Sequence, residues 1–505
     1  QGKDFRYGFL LVQFHFTTSQ GIKFKDLEKK IYNYACDEAC KMMKQVLESL
    51  DERLLKERDS TVYRNKGLKQ TCLRTIMGNV EYSRRIYQFK LEDGKKATKF
   101  QLDEYLGMDT IGKVSINLVE TILTNISEVS YKKTSENIQT LCNQIISAQG
   151  VWNVVQTVGE KIKEIEARKI ELNEIGALKG EKEVPVLFQE QDGIWLSIQG
   201  KDKPKGKNKK KELKLAVSYT GWKKRNNSKK EYVVEDKTVC ASFDNATHFK
   251  KLTEATIAEK YNVDEINTRV LNGDGASWIK KSCEEQDIHF QLDPFHISQA
   301  IIRKVSDKKA QKKLLKLFRE GDVDKGLEEL IQMLIESNQD EVAFKKLSDL
   351  YNYLVSNREG LIPYKLRTNI ELPTPPEGVE YRQLGTMEHN ICDVLAQRMK
   401  GRKMSWSING ADNLAKILAE KFSNRLFDTV DKIYRNIIPN DVINTIVREV
   451  ALPLSASDVN KKTKKSSTYK IQSAPIPYSD AALSMGRKII RDLCGLREFG
   501  DISYK

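Results

Sequence analysis

At residue 184 the apolar pattern of this chain changes period, and that change limits the folds open to it. Before it, apolar residues recur every three to four positions over long stretches, as on one face of a helix. From 184 to 293 they form short runs rich in β-branched and aromatic residues: VPVLFQEQDG, IWLSIQG, LKLAVSYTGW, TRVLNGDG and DIHFQLD. Helical spacing then returns over 297–360. A cluster of strands enclosed by helical blocks is an α+β multidomain architecture with a mixed sheet. Asp192-Gly193, between the first two runs, reads as the turn of a tight hairpin.

The N-terminal part divides further. Residues 24–58 carry Leu27, Ile31, Ala35, Met42, Val46, Leu47 and Leu50 at helical spacing. CLRTIMGNVEYSRRIYQFK then predicts a hairpin turning at Met77-Gly78-Asn79. Its Arg74, Arg84 and Arg85 mark either a solvated sheet face or a platform for phosphates; the residues leave both open. Residues 131–165 have the outline of a helix-turn-helix, with Tyr131, Ile138 and Leu141 facing inward on the first helix and a turn at 143–146. Ser147 caps the second helix, and Val151, Val154, Val155 and Val158 bury one side of it. Gln149, Asn153 and Gln156 lie on its other side, where amides can read adenine edges; two ordinary packed helices are the alternative. ELPTPPEG is the clearest linker. The expected divisions are 1–105 (helix and hairpin), 106–180 (helix-turn-helix), 181–300 (first part of a sheet domain), 301–370 (helical insertion), 371–435 (completion of the sheet domain) and 436–505 (basic C-terminal region).

Charge narrows the function. Eighty-five Lys and Arg against 70 Asp and Glu leave a net +15, which suits a polyanionic partner, nucleic acid first. Lys207, Lys209 and Lys210, in the lysine-rich loop KDKPKGKNKKKE, are candidates to grip a nucleic-acid backbone. No apolar stretch reaches the roughly 20 residues that span a bilayer, so no membrane partner is expected. Eight cysteines are too few for a disulfide scaffold. Cys36 and Cys40 read as a core stripe, not a zinc site, since the histidines lie elsewhere. Gln13 and His15 interrupt the apolar run near the start, and no small-residue cleavage site follows, so a reducing cytoplasm is expected.

Three acids carry the chemistry: Asp192 and Asp274 at strand ends, and Glu388 near a helix start. Strand tips of a mixed sheet converge on one edge. Three carboxylates there can hold two divalent cations, Mg²⁺ or Mn²⁺ given hard oxygen donors, and such a pair acts on phosphodiesters. Singly the acids are ordinary, because Asp-Gly is foremost a turn signal and a helical Glu is normally solvated.

The segments EQDGIWLSIQ, YTGW, LNGDGASWI, QLDPFH and EHNICDVLAQRMKGRKMSWSINGADNLAKI resemble, in order, the landmarks of a bacterial insertion-sequence transposase family of the ISLre type, whose layout is like that of Mutator-type transposases. The resemblance runs from about residue 25 to 435. It implies an RNase H-like catalytic domain interrupted by a helical insertion, with a DDE triad falling on Asp192, Asp274 and Glu388. A Cys-x-x-His pair of Mutator-like relatives is matched at His296 only, Asp293 standing where the Cys would be. His296 is therefore expected to assist at the scissile phosphate or else to be a hydrogen-bonded core histidine. Arg398, Lys400 and Arg402 are expected to contact DNA, and Trp406 either stacks on a displaced base or sits in the core. The implied reaction is water attack at the element end, then attack of the released 3′-hydroxyl on target DNA, in a homodimer or larger assembly acting on terminal repeats in the bacterial cytoplasm at the nucleoid. The competing readings are a transposase-derived DNA-binding regulator without catalysis and a nuclease of the same fold that cuts without joining.

Overall fold

The computed structural model describes residues 23–107, 112–205, 209–225, 231–283, 288–401, 403–434, 438–442 and 444–446. Lys207 and Arg402, both expected at DNA, lie outside the described residues. The chain is a mixed α+β structure with a helical N-terminal region. Its first helix, α1 (Phe24–Glu57), buries Leu47 and Leu50 but leaves Phe24, Ile31 and Met42 exposed. An antiparallel sheet follows: β1 (Arg64–Thr75), β2 (Gly78–Lys90) and β3 (Lys96–Lys99), then α2 (Gln101–Leu106). Thr75 pairs with Gly78, so Ile76 and Met77 make the turn, one residue earlier than the sequence suggested. Gly78 closes that turn with φ +136°, a backbone conformation that favours glycine.

Neither sequence-based view of the hairpin arginines fits Arg84 or Arg85. Arg84 is 3% exposed, its Nε 2.5 Å from Asp103 Oδ1 and its guanidinium stacked 3.6 Å from the Phe100 ring centre. Arg85 Nη1 lies 2.7 Å from Asp51 Oδ2. These cations are already matched inside the protein, while Arg74 alone of the three is exposed.

Three helices come next: α3 (Ile116–Ile126), α4 (Tyr131–Leu141) and α5 (Ala148–Glu174). Ser115, Ser130 and Ser147 cap them, each side chain accepting from a backbone N–H of the first turn. The valines of α5 are buried as their spacing predicts, but Leu141 is exposed. These helices share one apolar core with the sheet that follows and with the C-terminal helices.

That sheet has five strands: β4 (Val186–Ser197), β5 (Lys210–Tyr219), β8 (Thr238–Ser242), β9 (Thr268–Gly273) and β10 (Ile288–Leu292), in the order β10-β9-β4-β5-β8. Between β5 and β8 lie β6 (Gly221–Lys224) and β7 (Tyr232–Glu235), which form a small sheet with β11 (Val379–Glu380). In the five-stranded sheet β4, β5 and β8 pair antiparallel, whereas β9 and β10 run parallel to β4. The expected hairpin at Asp192-Gly193 does not form: β4 passes through both residues, Asp192 paired with Leu215 and Gly193 with Lys214. Alternation explains why, since Phe188, Ile194 and Leu196 face one core without a break in period. The glycine serves close packing instead; a Cβ there would lie 2.2 Å from Glu212 Oε1.

Helix α6 (Ala246–Lys260) packs on β8 and β5, and α7 (Ser277–Cys283) lies against α6 and β10. After β10 come α8 (Pro294–Lys304), α9 (Lys308–Glu320), α10 (Val323–Glu336) and α11 (Glu341–Val355). The chain returns through β11 to α12 (Met387–Asn390), a π-helical turn (Ile391–Ala396) and α13 (Gln397–Met399), and continues into α14 (Ile408–Phe422) and α15 (Leu426–Tyr434). Among the described residues no helix is long and apolar enough to cross a membrane.

Candidate active site

The register of the parallel pair β4–β9 fixes the first two acids. Gln191 pairs with Gly273, so the next residues in line are Asp192, partway along β4 rather than at the strand end its sequence suggested, and Asp274, just past the end of β9. Both are among the polar residues gathered here. Asp274 Oδ1 accepts from the backbone N–H of Ala276, and its carbonyl accepts from the Tyr353 hydroxyl on α11 at 2.9 Å. Burial raises the Asp274 carboxyl above the ordinary aspartate range, and the charge of Asp192 raises it further.

The start of α8 adds two groups. Asp293, directly after β10, caps that helix by accepting from Phe295 N–H at 2.9 Å. It is 1% exposed, and burial, with the negative charge of Glu190, pushes its carboxyl up to about 6. His296 Nε2 stands 3.5 Å from Asp192 Oδ2. Burial opposes its charge, but Asp192, Asp293 and Asp274 outweigh that and hold the imidazole above the usual histidine range. His296 is therefore neither isolated nor a plain core residue: its imidazole faces Asp192, Asp293 and Asp274 together.

Glu388 is placed differently. It is exposed on α12, with Met387, Ile391, Val394 and Leu395 buried beside it as its helix pattern predicts. Its segment is nonetheless anchored to the other two acids through Glu190, a fully buried carboxylate on β4. Glu190 accepts from Thr386 N–H (3.1 Å) and Oγ1 (2.6 Å), Met387 N–H (3.0 Å), Asn272 Nδ2 (2.9 Å) and the Tyr219 hydroxyl (2.5 Å). One side chain thus joins the residues two before Asp192, two before Asp274 and one before Glu388. Gly385, just upstream, has φ +126° and passes beside Asp293, where a Cβ would lie 3.6 Å from Oδ1.

Glu190 and Glu212 were not among the residues expected from the sequence. Glu190 leaves a trace there, an acid two residues before Asp192 on the face that also carries Phe188 and Ile194. Glu212, on β5 opposite Trp195, feels both Asp192 and Asp274; burial raises its carboxyl first, Lys214 offsets part of that, and Asp274 adds to it.

Several expected DNA contacts are corrected by burial. Gln156 is 9% exposed and accepts from Asn413 Nδ2 of α14 at 2.9 Å, so it cannot read a base. Arg398 is 5% exposed and donates to the Ile126 carbonyl. Trp406 is in the core, its Nε1 donating to the Met399 carbonyl at 2.8 Å, which excludes base stacking in this conformation. Gln149, Asn153, Lys209, Lys210 and Lys400 are exposed.

As a metal site the donors fit in kind but are incomplete in placement. Asp192 and Asp274 are adjacent hard oxygen donors, and the burial that lifts Asp274 is what a bound cation would offset. Among the described residues, however, no three His, Cys, Asp or Glu side chains are grouped to hold an ion, and Glu388 is the donor that stands apart.

The sequence was also compared with known proteins. A family model described as "Uncharacterised protein family (UPF0236)" matches residues 17–436. A UPF0236 protein of Caldanaerobacter subterraneus subsp. tengcongensis is 25% identical over 393 residues, covering 74% of this chain and 72% of the relative; its name joins eleven locus designations. Another from that organism is 24% identical over 414 residues, 79% of each chain. A Streptococcus gallolyticus relative, "UPF0236 protein in vanSb 3'region", is 23% identical over 469 residues, 91% of this chain and 94% of its own.

Proposed function

The chain belongs to the uncharacterised protein family UPF0236, and from that premise we propose that it is a metal-dependent DNA transposase acting by direct phosphoryl transfer. One observation carries the proposal: Asp192 and Asp274 are the next residues in register where the parallel pairing of β4 and β9 ends, with the Glu388 segment tied to both strands through Glu190. Three antiparallel strands followed by two parallel ones, in the order β10-β9-β4-β5-β8, agree with the RNase H-like arrangement that the transposase resemblance implies. A relative whose name joins eleven loci of one organism is what a gene that copies or moves itself would leave behind.

In this reading Asp192, Asp274 and Glu388 would hold Mg²⁺ or Mn²⁺, with Glu388 engaging once DNA is bound, since catalytic contacts tighten with substrate. A bound pair of such ions activates the attacking oxygen and stabilises the leaving one. His296 donates Nε2–H toward Asp192 Oδ2 and balances charge at the scissile phosphate. In the first step a water oxygen bonds to phosphorus, the bond to the 3′ oxygen breaks, and that oxygen takes up a proton to leave as a 3′-hydroxyl. In the second, this hydroxyl attacks a target phosphodiester and displaces a 3′ oxygen there, so no covalent protein intermediate is needed. Gln149 and Asn153 on the exposed start of α5, as the second helix of a helix-turn-helix, face the duplex, and Lys209, Lys210 and Lys400 its backbone.

Linear DNA carrying the gene's genomic flanks, incubated with the protein and Mg²⁺ or Mn²⁺, tests this. The expected result is cutting at the flank ends and joined products. Asp192→Asn, Asp274→Asn and Glu388→Gln should each lose at least about a thousandfold in rate while binding persists. Near-normal cutting by any one of them overturns the triad. The separation of Glu388 from the two aspartates favours a second reading, a DNA-binding regulator without catalysis; specific binding to the flanks with no metal-dependent cut would establish that one.

A further inference from the structure

A cleft of about 340 Å³ opens from Asp274 and runs between α8 and α11. On the α8 side it is lined by His296, Gln299 and Arg303, three and seven residues apart and hence on one face of the helix. On the α11 side Tyr353 is fastened to the Asp274 carbonyl, and Asp349 is paired with Lys304 at 3.0 Å. The carboxylate nearest to hand, Asp349, is therefore engaged by Lys304. Arg303 is exposed, and among the described residues no carboxylate lies within ion-pair distance of its guanidinium. Along this face the groups run from carboxylates through imidazole and amide to a guanidinium fork, the side chain best matched to a phosphate.

We propose that this face of α8 is a backbone track for the DNA strand being processed, with Arg303 gripping one phosphodiester at a fixed distance from the one attacked. The proposal rests on the functional reading above and adds to it a site and a position. Seven residues of helix rise about 10 Å; phosphates on one DNA strand advance about 3.4 Å each along the duplex axis but lie about 6–7 Å apart along the backbone itself. Arg303 thus meets the backbone about one to two nucleotides from the scissile phosphate. Gln299, midway, donates its amide to the intervening backbone.

The test uses the full chain and flank-end duplexes in which one phosphate at a time is replaced by an uncharged methylphosphonate. For the unmodified protein, neutralising a phosphate about one to two nucleotides from the cut should weaken binding about tenfold, and phosphates farther away much less. Arg303→Ala should bind the all-phosphate duplex about tenfold more weakly, lose about one from the magnitude of its salt slope, and show no further loss at that position. Arg319→Ala, which removes another exposed charge, from α9, should keep the site-specific loss. A flat interference profile, or a position-specific loss that survives in Arg303→Ala, overturns the track. Interference is read by binding alone, so a protein that shows an Arg303-dependent position but never cuts would refute the transposase reading and leave only the phosphate contact of Arg303.

Discussion

The N-terminal sheet and the end of the five-stranded sheet both bury carboxylates, and they treat them in opposite ways. Around β2 each buried acid has its own arginine: Asp103 with Arg84, Asp51 with Arg85. Partway along β4 and just past the ends of β9 and β10, Asp192, Asp274 and Asp293 face the imidazole of His296, and Asp274 and Asp293 are raised. The first arrangement is balanced, since its charges cancel, although the second oxygen of Asp103 is buried without a hydrogen-bond partner. The second carries an excess of negative charge in a partly desolvated place, which costs stability unless something positive arrives. What separates structure from function here is the balance of the charge, more than its burial.

The largest expected effect breaks the balanced side. Arg84→Met strands Asp103 in the core and should cost about 3–5 kcal/mol in denaturant unfolding, while Arg84→Met with Asp103→Leu should recover most of it. Per folded molecule, cutting should be unchanged. The counterpart is Glu190→Gln: an amide cannot accept from Thr386, Met387, Asn272 and Tyr219 together, so cutting should fall about 10–100-fold with DNA affinity kept. A Glu190→Gln protein that cuts normally would show that the α12 anchor does not serve the site.

A smaller effect sharpens the contrast through pH. Asp293 has a folded pKa of about 6, above its unfolded value near 4, so the folded state holds more protons between those values. Stability of the metal-free protein should therefore be greatest below about pH 4 as far as this group is concerned. It should fall by about 1.4 kcal/mol per pH unit as pH rises from there through the folded value. Asp293→Asn should flatten that part of the profile. An unaltered slope in the variant would mean that Asp293 is not the group responsible.

How much of this was legible beforehand varied with the kind of signal. Periodicity located α1, the valine face of α5 and the apolar side of the Glu388 segment, because burial on one side of an element is written at fixed spacing. Asp192-Gly193 misled, since Asp-Gly favours a turn locally and only the pairing of Gly193 with Lys214 under Glu212 shows why a strand keeps it. Arg84 and Arg398 misled for a related reason, and Trp406, left open between base and core, took the core. A basic or aromatic residue reads as a ligand contact until its internal partner is known, and Asp103, the Ile126 carbonyl and the Met399 carbonyl are 19, 272 and 7 residues away. Glu190 was hardest to see, because its role lies in five hydrogen bonds to segments up to 197 residues distant.

The central claim is that the unbalanced carboxylates beside β4 and β9 form a cation site, and calorimetric titration of the metal-free protein with Mn²⁺ tests it most directly. Saturable binding is expected in the unmodified chain and in Arg84→Met with Asp103→Leu, and its loss in Asp192→Asn and in Asp274→Asn. Binding that survives in both aspartate variants, or none in the unmodified protein, would contradict the account.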